Sequence, residues 1–264
     1  MSSYLDQKKY LYRRRIVALR LFALPLAIVV LISSVLLVGN GVASHTVVTD
    51  SDRSYNERGQ AFNGYRVYLS SPTHIDSGNR GELGWEENIN GRHWNTYAAN
   101  GNYISGNYST SQYRSLTSRG YKVIVSQNGR NGAFITNRNN SDNWGADVHI
   151  VTHTNAGRGN YLLVMIDDAT STAEDRELRA QLATRVGAGT PGRDVEATDN
   201  SGYSSNLGEL RAAAPYNAYV ELVFHDNQSH VDWLGSGSNW GQAVKVHAWR
   251  YGFAVDRALG YPRN

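Results

Sequence analysis

The chain has 264 residues, 41% of them hydrophobic and 19% charged, with a formal net charge of +3. These values suit a folded globular protein and give no argument for a nucleic-acid partner. There is no cysteine, which excludes disulfides, thiolate ligands and a cysteine nucleophile, so any metal must be held by histidine and carboxylates.

The first residues read as a membrane-directed segment and not as part of the fold. KKYLYRRR (8–15) is a positive flank, and LFALPLAIVVLISSVLLV (21–38) is an uncharged apolar run of roughly spanning length. Small residues follow, to Ala43. Residues 1–43 are therefore expected to form a basic flank with either a cleaved signal peptide or a retained anchor. The positive flank stays inside and the remainder crosses the membrane. A single run of this kind excludes a transporter or channel. The polar stretch 44–63 reads as a linker, and 64–264 as one globular domain without internal repeats.

Within the domain, strands and helices alternate. YRVYLS (65–70) reads as a strand, followed by a helix over 86–99. A second helix is expected over 111–119, ended by Gly120, before the strand YKVIVS (121–126). A polar helix near 136–144 leads into a strand over 147–152. YLLVMI (161–166) is a continuous apolar strand. A helix over 173–186 follows Thr170, Ser171 and Thr172, any of which can cap it. The stretch 187–206, rich in glycine, reads as irregular. A strand over 218–224 and a helix over 242–259 complete the chain. Continuous apolar strands separated by helices predict an α/β fold: a mostly parallel twisted sheet with helices on both faces. Sites in such folds assemble beyond the carboxyl ends of the strands.

Three strand ends carry chemically active side chains. His74 follows the first strand, His153 ends the strand after 147–152, and Glu221 lies among Val220, Leu222, Val223 and Phe224. A glutamate among apolar core residues is costly unless it is paired or metal-linked. Glu86 and Glu87 open the helix after His74. Two histidines and a carboxylate suit a zinc site with an open position, and a further carboxylate near it can move protons. The alternatives are ordinary ones. Helix N-termini favour acidic residues without any function, so Glu82, Glu86 and Glu87 stay open on the residues alone. His149, four residues before His153, shares its strand face and competes as a ligand. His225 reads as a cleft residue, and His230 and His247 as surface or packing residues. No Gly-x-Ser-x-Gly, P-loop or dinucleotide fingerprint is present, which argues against serine hydrolases and nucleotide enzymes.

Four segments in order resemble the zinc-dependent N-acetylmuramoyl-L-alanine amidases of bacterial wall hydrolases. They are YLSSPTH ending at His74, WEENIN with Glu86, VTHTNA with His153, and VELVFHDN with Glu221. The last two fit the family pattern closely. The first departs from it, since Thr-His-Ile stands where the family has Gly-His-Gly. The resemblance spans roughly 65–261. It implies zinc held by His74, Glu86 (with Glu87 as competitor) and His153, and Glu221 as the catalytic carboxylate. The implied reaction is cleavage of the amide between N-acetylmuramic acid and the L-alanine of the stem peptide. It also implies peptidoglycan as partner and an extracytoplasmic location; membrane contact is expected through the N-terminal segment, and neither a nucleic-acid partner nor an oligomer is expected. The competing expectations are a zinc peptidase acting on another wall amide and an inactive, membrane-tethered wall-binding or regulatory protein.

Overall fold

VHIVTHTN and YNAYVELVF lie side by side at the centre of a seven-stranded sheet. The computed structural model describes residues 52–56, 61–72, 87–100, 115–126, 133–202, 207–234 and 247–261. They fall within one compact unit, Thr46–Asn264. In chain order the strands are β1 (Arg53–Tyr55), β2 (Arg66–Ser70), β3 (Lys122–Val125), β4 (Val148–Asn155), β5 (Tyr161–Ile166), β6 (Arg193–Thr198) and β7 (Tyr216–Phe224). The helices are α1 (Glu87–Asn100), α2 (Ala133–Trp144), α3 (Ala173–Gly187), α4 (Gln228–Leu234) and α5 (Arg250–Ala258).

The sheet order is β1-β3-β2-β4-β7-β5-β6. β3, β2, β4 and β7 run parallel. β1 is antiparallel to β3, and β5 is antiparallel to β7 with β6 parallel to β5. The sheet is thus mixed and mostly parallel. A doubly covered apolar strand looks the same in sequence whichever way it runs, so YLLVMI could not announce its reversal.

Burial explains the composition of each face. Val148 through Thr154 are all buried, because helices cover the sheet on one side and a helix with a 3-10 turn on the other. Val67, Val148, Ile150, Leu162, Ala218 and Val220 share one core with Trp94 of α1, Leu178 and Leu182 of α3, and Tyr251 and Val255 of α5. The opposite face carries Tyr68, Val151, Leu163 and Tyr219, packed beside Leu210 of the turn Gly208–Arg211 and the Ala146–Ala214 region. His153 and Glu221, odd-numbered like Val151 and Tyr219, belong to this second face.

Local chemistry fixes the helix ends. Thr172 caps α3 in a reciprocal capping box with Asp175. The other Asp175 oxygen accepts from Asn217 N at 2.6 Å, which docks the start of α3 on β7. Gly120 has φ +90, and a Cβ there would meet the Ala61 carbonyl oxygen at 2.5 Å. Only glycine fits that corner.

Several expectations need correction. Asp52–Tyr55 fall in the stretch expected as a linker, yet Arg53–Tyr55 pair with β3 and Asp52 accepts from Tyr68 Oη at 2.7 Å. β6 lies inside the stretch expected to be irregular. Its RDVEAT sequence is mostly exposed at the sheet edge and lacks an apolar run. Within the helix expected over 111–119, the described part is the 3-10 turn Thr117–Arg119. α4 was not foreseen. The apolar run 21–38 lies outside the described residues. Among the described residues no helix is long and apolar enough to cross a membrane.

Candidate functional site

The parallel register of β4 on β7 places His153 directly beside Glu221. Just beyond this pair the ladder slips. Asn155 pairs with Phe224, so Leu222 and Val223 oppose Thr154 alone. Such a bulge bends the strand and re-aims side chains, and bulges are frequent next to active sites. Here it lies at the carboxyl ends of both strands.

His153 is 2% exposed, and its Nδ1 lies 3.1 Å from the Thr154 carbonyl oxygen. A carbonyl only accepts, so this contact puts the proton on Nδ1 and the lone pair on Nε2. Glu221 Oε2 lies 3.5 Å from the same Nδ1. That oxygen is buried, and among the described residues it accepts no hydrogen bond. Tyr219 flanks the imidazole, ring centroids 5.5 Å apart.

The rim of the site is tied down by the β7–α4 corner. His225 is buried. Its Nδ1 pairs with Thr154 Oγ1 at 3.0 Å and its backbone N donates to Asn155 O at 2.9 Å. Burial pushes the His225 imidazole down, and nearby His153 adds to this against Asp226 and Glu221. Asp226 accepts from Gly157 N at 2.7 Å and Arg158 N at 3.0 Å. Burial raises its carboxyl, but those amide bonds outweigh burial and hold it below the usual carboxylate range. They also keep Arg158 at φ 56, in the left-handed region. Asn227 Nδ2 donates to Gly159 O at 2.8 Å. A Cβ on Gly159 would lie 2.2 Å from the Phe224 ring, so this glycine lets the β4–β5 loop close on β7.

His149, His230 and His247 have structural work. His149 shares the face of His153 but stacks on Tyr68, ring centroids 5.4 Å apart, and its Nε2 meets Glu209 Oε1 at 3.2 Å. Both partners are essentially without exposure. His149 is thereby engaged in a buried pair with Glu209 and a ring stack with Tyr68. His230 accepts from Phe224 N at 3.0 Å and its other nitrogen lies 2.9 Å from Asn160 Oδ1. His247 stacks on Trp233.

His74 and Glu86 lie outside the described residues, as do the side chains of the first two turns of α1, Glu87 included. His74 follows the carboxyl end of β2, which pairs with β4, and Glu86 immediately precedes α1. Among the described residues no three metal-binding side chains converge. Of the expected ligands His153 alone is among the described residues, and its imidazole, beside the Glu221 carboxylate, is of the nitrogen and oxygen type that zinc takes in a chain without cysteine.

No family model and no curated protein sequence matches the chain. Solved structures do. The chain shares the fold of N-acetylmuramoyl-L-alanine amidase catalytic domains over about three quarters of its length. The amidase Ami1 from Mycobacterium smegmatis superposes with TM-score 0.58 at 12% identity, covering 77% of this chain and 100% of that one. AmiC2 of Nostoc punctiforme gives 0.57 at 13% identity, covering 76% and 99%. Cwp6 from Clostridium difficile gives 0.58 at 18% identity, covering 74% of this chain; the match spans only 29% of Cwp6.

Proposed function

We propose that the domain is a zinc-dependent N-acetylmuramoyl-L-alanine amidase, cutting the amide between the lactyl group of N-acetylmuramic acid and the L-alanine of the stem peptide. The observation that carries this reading is the His153–Glu221 pair, set side by side at the carboxyl ends of β4 and β7 in a fold shared with such amidases.

His74, Glu86 and His153 would hold the metal. When bound, zinc supplies Lewis acidity, polarising the scissile carbonyl and acidifying water. Glu221 then accepts the proton of the attacking water on its Oε2 and returns it to the departing amide nitrogen. Thr154 holds the His153 tautomer through its carbonyl and places His225 through its hydroxyl. The bulge and the Asp226-bound loop fix the rim against which a glycan–peptide junction would lie.

Two outcomes test the parts of this reading. Elemental analysis should find one zinc per chain, and His153→Ala should abolish it. Equal zinc in both proteins would remove His153 from the ligand set. Retention of zinc by Glu86→Ala together with its loss from Glu87→Ala would move the helix ligand by one residue. The substrate lies outside the cytoplasmic membrane, so the reading places the domain there, with the basic flank 8–15 inside and the membrane run 21–38 between. Complete protection of the domain from protease added to intact protoplasts would contradict that topology.

A further inference from the structure

The last register pair between β2 and β4 is Ser70 with Val151. Thr152 and His153 lie beyond that pair, where β4 has lost its β2 partner. One side chain continues the crosslink. Asn95, on α1, has no exposed surface. Its Nδ2 donates to Ser70 O at 2.9 Å and to Ser71 Oγ at 2.9 Å. Its Oδ1 accepts from Thr152 Oγ1 at 2.7 Å.

The polarity of this network is forced. A carbonyl can only accept, so the amide nitrogen of Asn95 must face Ser70 and its oxygen must face Thr152. Thr152 then spends its single proton on Asn95. Tyr251 Oη, 2.8 Å from Thr152 Oγ1, must therefore be the donor to Thr152. Tyr251 is fully buried, and burial pushes its phenol up, so it remains a donor throughout the working range. The far side of β2's end is held as well. Asn137 Nδ2 donates to Ser70 Oγ at 2.8 Å, and Ser71 N donates to Ser126 Oγ at 3.1 Å.

We infer that Asn95 is a positioning residue for His153, clamping the carboxyl end of β2 and the helix α1 to Thr152, the residue that precedes His153. The clamp works from the sheet face opposite His153, because Thr152 and His153 point to opposite faces. It joins three described segments: the carboxyl end of β2, the helix α1, and the strand that carries His153. Asparagine and threonine in an otherwise apolar core cost desolvation, which their full set of hydrogen bonds offsets. A core built for stability alone would have an apolar residue at each place. The polar pair adds a fixed distance and direction.

This inference rests on the zinc reading, and the test separates the two. Zinc affinity of the full chain is measured by competition with a chromophoric chelator, beside thermal unfolding of the metal-free protein. Four chains are compared: wild type, Asn95→Leu, Thr152→Val and Thr152→Ser. Loss of an outer-shell partner of a metal site typically weakens binding about 10- to 100-fold. Thr152→Val and Asn95→Leu should each weaken zinc by about 10-fold or more, while Thr152→Ser, which keeps the hydroxyl, should bind like wild type. If Asn95→Leu does not fold, the Thr152 pair alone decides. Lowered melting temperatures with unchanged zinc affinity in Thr152→Val would overturn the positioning role and leave the zinc reading standing. Absence of zinc binding by the wild type would instead sink both.

Discussion

Glu221→Gln is expected to remain folded and to keep its zinc, yet to lose turnover by roughly 100- to 10,000-fold, toward the upper end. Glutamine preserves the size of the side chain at a position only 12% exposed, between Val220 and Leu222 of the β7 core. It removes the one property the mechanism needs, a carboxylate oxygen able to take a proton. That oxygen is buried beside His153 without a hydrogen-bond partner among the described residues, so the substitution breaks no described hydrogen bond of Oε2. Activity on wall fragments, metal content and thermal melting are measured together. Near-normal cleavage by folded, zinc-loaded Glu221→Gln would take Glu221 out of the mechanism and turn attention to His225.

Asp256→Ala should be among the most destabilising single changes in the domain, costing about 3–5 kcal/mol. Arg119 and Asp256 form an ion pair with 1% and 3% of their side-chain surfaces exposed. Tyr121 Oη donates to the second Asp256 oxygen at 2.7 Å, and the Arg119 guanidinium lies over the Phe253 ring at 4.0 Å. The pair joins the turn before β3 to α5, far apart in the chain. Truncating the acid removes the buried carboxylate that the Arg119 guanidinium faces, and losing one side of a buried ion pair costs more than the pair itself contributes. The penalty is a large fraction of a typical domain's 5–15 kcal/mol. Denaturant titration of Asp256→Ala and of Arg119→Met/Asp256→Ala checks this. The double variant should recover part of the loss, since it no longer has to bury the guanidinium that faced Asp256. A single-variant loss below about 1 kcal/mol would show that water or another group compensates Arg119.

Much of the central architecture was legible because it depends on local pattern. DVHIVTHTNA and YVELVFHDN announce buried strands through unbroken apolar runs, and each places its reactive residue near the carboxyl end. The start of α3 was legible to within three residues, Thr170, Ser171 and Thr172, of which the structure uses Thr172 as the cap. What stayed hidden depends on distant partners. β1 is three residues long and gains its identity only by pairing with β3. β6 is a polar edge strand recognisable through β5 alone. The reversal of β5 leaves no trace in its own composition.

The site divides in the same way. The pairing of His153 with Glu221 follows from two strands whose sequences are distinctive. The fate of His149 does not, because its partner Glu209 comes from a turn 60 residues later. A glutamate in LGEL, beside a leucine that packs into the core, was the available signal for a buried partner. Asn95 gave a comparable hint: an asparagine beside the core residue Trp94 in a helix needs a reason to be there. Its three bonds reach Ser70, Ser71 and Thr152, and no local pattern connects these residues.

The reaction itself is open to one decisive measurement. Purified peptidoglycan is digested with residues 44–264, with and without a chelator, and the fragments are analysed by mass. The expected products are stem peptides with a free L-alanine amino terminus and glycan strands whose muramic acid lactyl groups end in free carboxylates. Chelation should stop their release and added zinc should restore it. Zinc-loaded protein that leaves the muramoyl–alanine amide intact, or that cuts the wall at a different bond, would contradict the assignment.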